Sequence, residues 1–211
     1  MNAQVAGGLA LAASYAAGSF PSAYLAGRIT KGIDLRTVGS GNLGTTNVYR
    51  ELGVGPALAV LAVDGMKGAL PAALFPPMIG AGGTAAAWWA LACGATAIAG
   101  HARSMFLLWK GGGKGVATAA GVFLAVTPYA TLAAIAAFII VVAATRYASL
   151  GSLVGGVVVP VAEWLRAGPT PAFFAGIAVA AFIAFTHRSN IQRLVAGTER
   201  RIGRAGGRAA P

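Results

Sequence analysis

The chain has 211 residues, of which 57% are hydrophobic and only 10% charged, with a net charge of +11. That balance is too apolar for an ordinary soluble domain and points to a membrane protein. Topology signals and attraction to anionic lipid account for the positive charge, so no nucleic-acid partner is expected. The single cysteine, Cys93, excludes an intrachain disulfide framework and a thiolate metal cluster.

A spanning helix needs about 20 mostly apolar residues. In chain order, seven such segments are expected at 5–27, 54–79, 83–100, 115–129, 130–145, 149–165 and 169–186. The fourth and fifth share one apolar run, 116–145, divided at Thr127-Pro128 because proline ends or kinks a helix. One tilted helix over that run would reduce the count to six. Charge favours seven. Four basic residues lie in 28–53, three in 101–114, Arg146 follows the fifth segment, and six more run from Arg188 to Arg208. With seven spans these all share one side, while Arg166 lies opposite and Lys67 lies within a span. The positive-inside rule makes the crowded side cytoplasmic, with the N-terminus outside and the C-terminus inside. The first 27 residues carry no Lys or Arg, so no cleaved signal peptide with a basic leading region is expected. The expectation is a single all-α membrane domain over 1–211, with motif segments at 38–50, 100–118 and 187–199 and a flexible basic tail at 203–211.

The first motif reads GSGNLGTTN, residues 39–47. It matches G-x-G-x-x-G, and Asp64 follows Gly44 at about the distance of a ribose-binding acid. A dinucleotide turn needs a buried strand before it and a long crossover helix after it. Here a short charged segment precedes the turn and Asp64 falls inside an apolar run, so the match is accidental. The residues still suit an anion. Gly39, Gly41 and Gly44 permit positive φ and close approach to a ligand. Successive bare N–H groups form an anion-binding concavity, to which Ser40, Asn42, Thr45, Thr46 and Asn47 add side-chain partners. Arg50 adds a forked cation. A plainer reading is an interfacial turn with Ser40 or Thr45 capping a short helix.

The second motif, GHARSMFLLWKGGGKGVAT at 100–118, brackets Gly111, Gly112 and Gly113 with Lys110 and Lys114 at a helix start. Lysines, bare amides and a helix N-terminus make an anion site. It is not a Walker A loop, since Leu108 and Gly115 occupy the positions that pattern requires to be Gly and Ser or Thr. The third motif, HRSNIQRLVAGTERR at 187–201, sets His187, Asn190 and Arg193 three apart on a helix. Its plainer reading is an amphipathic surface helix, which accounts for the arginines better than for His187 and Asn190. Asp64 and Lys67 sit three apart in the second span, as a self-neutralised pair or with Lys67 reaching into an anion pocket. Ser149 and Ser152 open the sixth span on the same side. Together these predict one cytoplasmic-face site for anionic, phosphorylated substrates.

The three motifs, with DGMKG between the first two, resemble the bacterial acyl-phosphate:glycerol-3-phosphate acyltransferases (PlsY) over essentially the whole chain. Two departures are Thr45 where Ala is more usual and one extra glycine before Lys114. The resemblance implies a seven-helix bundle in the bacterial plasma membrane. It implies transfer of a fatty acyl group from acyl phosphate to the 1-hydroxyl of glycerol 3-phosphate, releasing phosphate, without a cofactor. It further assigns catalytic roles to Ser40, Lys114 and His187. It puts the turn from Ser40 to Asn47, with Gly41, Asn42, Thr46 and Lys67, on acyl phosphate. It puts Arg50, Lys114, Ser149, His187 and Asn190, beside Gly112 and Gly113, on glycerol 3-phosphate. In the family a substrate phosphate, rather than a protein base, is thought to take the hydroxyl proton. Direct transfer without an acyl-enzyme is expected, by a monomer with its acyl tail between the helices. Two other classes stay open: a transporter for an anionic solute and a scaffold holding anionic lipid.

Overall fold

The computed structural model describes residues 2–203, so the tail basic residues Arg204 and Arg208 lie outside the described residues. The described chain is helical, without strands. Its α-helices are α1 (Ala3–Ser19), α2 (Ser22–Lys31), α3 (Thr45–Leu52), α4 (Val54–Met78), α5 (Gly83–Ala102), α6 (Val116–Val126), α7 (Pro128–Thr145), α8 (Ala148–Ala167), α9 (Pro171–Thr186) and α10 (Arg188–Val195). A short 3₁₀ turn at Met105–Leu107 lies between α5 and α6.

By length and hydropathy, α4, α7 and α8 qualify as membrane spans, whereas α9 and α10, bent by 64°, pass that test only taken as a pair. α6, with 11 residues, is shorter than a straight crossing requires, and α1, with 17, and α9, with 16, are at the lower limit. The apolar run 116–145 does divide where proline predicts, with Thr127 closing α6 and Pro128 opening α7. The first expected segment, 5–27, is not one helix. Pro21 lacks an N–H and its ring opposes helical continuation, so the chain breaks between Ser19 and Ser22. The break frees the Phe20 carbonyl, to which Lys67 donates at 2.9 Å.

Two packed groups make the bundle. In one, α1, α4, α5 and α6 pack together; in the other, α7 packs on α8 and α8 on α9. The first group rests on backbone-close crossings that only small residues permit. A Cβ on Gly121 would stand 2.0 Å from the Gly65 carbonyl oxygen, and one on Gly68 would stand 2.1 Å from that of Thr118. Between α4–α6 on one side and α7–α8 on the other lies a cleft.

The α4–α6 contact sets the cleft's near wall, so its loss should be measurable. Gly68→Ala is expected to destabilise the detergent-solubilised protein by about 1–3 kcal/mol, the usual effect of overpacking. A melting curve of Gly68→Ala superimposable on that of the parent would show that the two helices part freely.

Candidate active site

The cleft opens at one end of the bundle into a cavity of about 1470 Å³. Its mouth is built from the three sequence motifs, and each is set there by a local rule. In the first loop Gly39 and Gly41 take positive φ, 63° and 69°. Gly44 does not. It is extended at φ −140° and serves as the N-cap of α3, without a side-chain cap from Ser40 or Thr45. Asn47 is buried and engaged in shaping the loop. Its Oδ1 accepts from the Ser40 N–H at 2.9 Å, and its Nδ2 donates to the Leu35 and Val38 carbonyls at 3.2 and 3.3 Å. The Ser40 hydroxyl has no basic side chain within hydrogen-bonding distance; the Asn42 N–H lies 3.5 Å from it.

The second loop is tied to the first. The Leu43 N–H donates to the Gly112 carbonyl at 3.2 Å, and Arg36, clamped on Asp34 at 2.6 Å, donates to the Lys110 carbonyl at 3.1 Å. Gly112 and Gly113 have no room for side chains: a Cβ would meet the Ala102 carbonyl oxygen at 2.1 Å or His101 Nε2 at 1.9 Å. The glycine run is therefore packed against the end of α5, where the Gly113 N–H donates to the His101 carbonyl at 3.1 Å.

Lys114 leaves this loop and donates to Asn190 Oδ1 across the mouth. Asn190 in turn donates to Glu199 at 2.6 Å, which also accepts from Ser149 Oγ at 2.8 Å and Arg193 Nε at 2.7 Å. Arg50 reaches the same region and donates to the Arg200 carbonyl at 3.0 Å. Thus Lys114, Asn190, Ser149 and Arg193 form one hydrogen-bonded network, with Arg50 and His187 beside it on the cavity wall.

Lys67 is not at this wall. It pairs with Asp64 at 2.8 Å and donates to Phe20, facing away from the large cavity. Gly113 also falls outside the lining, whereas Gly41, Asn42, Thr46 and Gly112 belong to it. Sequence reasoning missed Glu199, although its motif contained it, because a lone carboxylate in a basic segment reads as surface charge. It also missed His101 and Ser22, which share Asp64 at 3.8 and 2.5 Å. Among the described residues no three His, Cys, Asp or Glu side chains gather as metal ligands.

Burial controls the protonation states at the mouth. It lowers Lys114 to about 8, against the attraction of Glu199 and with repulsion from Arg193 and Arg50 adding to the fall. It lowers His187 to about 4, with Lys114 acting in the same direction. His187 is therefore neutral at pH 7. Its Nδ1 contacts the Ile183 carbonyl at 2.8 Å, and a carbonyl only accepts, so Nδ1 carries the proton and Nε2 is an acceptor. Burial pushes the Glu199 carboxyl up, but hydrogen bonds from Asn190, Ser149 and Arg193 outweigh it and hold the group below its ordinary value.

Below the mouth the cavity becomes apolar and reaches lipid-facing positions. Leu58, Leu61 and Met66 on α4, and Ile139 on α7, line it while being 45–59% exposed on the bundle surface. A cationic, amide-rich chamber that continues into a laterally open apolar cleft defines a membrane enzyme joining a charged substrate to a lipidic one. Comparison with known proteins places the chain within that class. The family model described as glycerol-3-phosphate acyltransferase matches residues 8–197. A glycerol-3-phosphate acyltransferase of Trichlorobacter lovleyi is 45% identical over 90% of this chain and 94% of its own. That of Synechococcus elongatus is 43% identical over 90% and 91%. The crystal structure of PlsY, an integral membrane glycerol 3-phosphate acyltransferase in its glycerol 3-phosphate form, superposes with a TM-score of 0.83. It is 34% identical, over 93% of this chain and 96% of that one; the lysophosphatidic acid form gives 0.80. The chain belongs to the glycerol-3-phosphate acyltransferase family.

The lowered Lys114 value has a direct consequence. The ammonium is charged below about pH 8 and neutral above it. Affinity for glycerol 3-phosphate, measured by calorimetry from pH 6.5 to 9.5, is expected to fall as pH rises through 8. In Lys114→Arg that decline should vanish, because a guanidinium stays charged over the whole range. An identical decline in the variant would assign it to another group.

Proposed function

We propose that the protein acylates glycerol 3-phosphate at its 1-hydroxyl with acyl phosphate as donor, giving lysophosphatidic acid and phosphate at the cytoplasmic face of the bacterial plasma membrane. The single observation that carries this reading is the Lys114–Asn190–Ser149–Glu199–Arg193 network at the polar end of a cavity whose other end is apolar and open to lipid. Relatives in the family bear the glycerol-3-phosphate acyltransferase name, and the similar crystal structures are described with glycerol 3-phosphate and with lysophosphatidic acid.

The topology proposed is seven crossings with the N-terminus outside. α1 with α2 makes the first, and α4 through α9 make the other six. The charge distribution supports it: the loops before α3, between α5 and α6, between α7 and α8, and after α9 carry the basic residues. The first, second and fourth of these loops contribute residues to the cavity mouth, and α8 begins there with Ala148 and Ser149. The whole of 1–211 then acts as one domain, and the site draws on one chain only, which suits a monomer.

Lys114, Arg50, Ser149 and Asn190 hold the phosphate of glycerol 3-phosphate. The first-loop amides around Ser40, Gly41, Asn42 and Thr46, at the start of α3, hold the phosphate of the donor. The 1-hydroxyl oxygen attacks the donor carbonyl carbon, the bond from that carbon to the phosphate oxygen breaks, and phosphate leaves with the pair of electrons. Cations and amides already in place at the leaving phosphate stabilise the charge that develops there. Neutral His187 offers Nε2 to the attacking hydroxyl and orients it. With its pKa at about 4, it is too weak a base at pH 7 to keep the proton, which passes to a phosphate oxygen. The isolation of the Ser40 hydroxyl from any base supports direct transfer over an acyl-enzyme. The gathering of the polar residues at one end favours this enzyme over a transporter, which needs polar groups near mid-membrane and access from both sides.

The test is phosphate release by purified protein given hexadecanoyl phosphate and glycerol 3-phosphate, each omitted in turn. Release is expected only with both, matched by lysophosphatidic acid; release from acyl phosphate alone would make the protein a hydrolase. His187→Ala is expected to lower kcat by about 10²–10³-fold, the range seen when one positioned hydrogen-bonding group is removed. A near-normal rate would remove His187 from the mechanism.

A further inference from the structure

The apolar lining of the cavity has two stretches of different exposure, called here its lipid-side and inner arms. One is the lipid-side arm along α4 and α7, whose walls are exposed. The other is lined by residues of α7, α8 and α9, among them Thr131, Gly155, Gly156, Val159 and Gly176. Its end is buried: Thr131 is 1% and Val159 8% exposed. One helical turn further on lies the buried carboxylate of Glu163, 1% exposed, held by Thr127 at 2.6 Å, Thr170 at 2.8 Å and Arg166 at 3.0 Å. Every donor in that cluster is turned onto the carboxylate. It closes the far end of the bundle with a charged plug that an alkyl chain has no means of solvating or displacing.

We propose that this inner arm is the chain-length gauge of the enzyme, receiving the methyl end of the donor acyl chain, with Val159, Gly156 and Gly176 as its specificity-determining residues. The inference rests on the acyltransferase reading above. The first loop that takes the donor phosphate lines the same mouth as Ser149, and Val159 lies ten residues further along the helix that Ser149 opens. At 1.5 Å per residue that is roughly 15 Å, about the extended length of a chain of a dozen methylenes. A chain of that length fills the arm; a longer one must bend back toward the lipid-side opening. Gly155 lets α8 approach α7, since a Cβ there would stand 3.2 Å from the Ala134 carbonyl oxygen, and Gly156 leaves the space toward α9. A Cβ at Gly156 would reach Ile183 at 3.4 Å, an ordinary contact, so that wall accepts a side chain only by narrowing the arm.

The experiment compares kcat/KM for hexadecanoyl and decanoyl phosphate in the full-length enzyme and in Gly156→Val and Val159→Ala, with melting temperature as the folding control. Gly156→Val is expected to lower the hexadecanoyl-to-decanoyl ratio by about tenfold or more, the scale on which a hydrophobic pocket reads misplaced methylenes. Val159→Ala is expected to raise that ratio, with KM for glycerol 3-phosphate unchanged in both. An unchanged ratio in two folded, active variants would overturn the gauge. So would a ratio that instead responds to Met66→Trp, which blocks only the lipid-side arm. If Gly156→Val fails to fold, Val159→Ala decides alone, since opening the arm needs no new space. Absence of acyl transfer in the parent protein would instead count against the acyltransferase reading itself.

Discussion

The site depends on one constraint: helix N-termini expose backbone N–H groups that need an acceptor. α3, α6, α8 and α10 all begin at the cavity mouth, and none has its first turn capped by a side chain. Their N-cap residues are Gly44, Gly115, Tyr147 and His187, none of which here turns a side chain back onto the helix. By contrast, α9, which begins at the other end beside Glu163, is capped by the Thr170 hydroxyl at 3.2 Å. Four helix starts left open toward one chamber place partial positive charge there, which suits an anion. The cations then need only add to a field the backbone has already set.

The conspicuous polar residues divide accordingly into those that face the chamber and those that hold it open. Asn47 satisfies three backbone groups within its own loop, and Arg36 ties that loop to the next. Lys67 and Asp64 neutralise one another against the carbonyl that the Pro21 break exposes. A buried pair of this kind does little for stability but penalises alternatives, since moving either partner strands the other. Glu199 has the corresponding role at the mouth, keeping Ser149, Asn190 and Arg193 in register beneath the cations.

Much of this was legible in the sequence because the signals were local. Proline at 128 announced the α6–α7 break, and the three motifs, read together because glycine runs and cations at helix starts have few other uses in a membrane protein, do line one cavity. What escaped was long-range. Nothing in the string tells that Asn47 faces Leu35 rather than a ligand, or that Lys67 turns toward Phe20. Both are set by where the chain returns in space. Pro21 was visible but weighed less than the hydropathy around it, and so the broken first segment was read as continuous.

The same division explains why the bundle is polar at both ends for different reasons. At the mouth the donors outnumber their internal acceptors. Lys114, Arg50 and four open helix starts have only Asn190, Glu199 and a carbonyl or two to engage them, while burial, with repulsion from Arg193 and Arg50, lowers the proton affinity of Lys114. At the far end the count is balanced: Thr127, Thr170 and Arg166 converge on Glu163 alone. An unbalanced polar cluster attracts a ligand of opposite charge, whereas a balanced one locks helices together. Between them the walls are mainly small and aliphatic residues with Phe123, Phe138 and Met66, none of which holds a charge. An amphiphile with one anionic end is the shape that such a gradient selects.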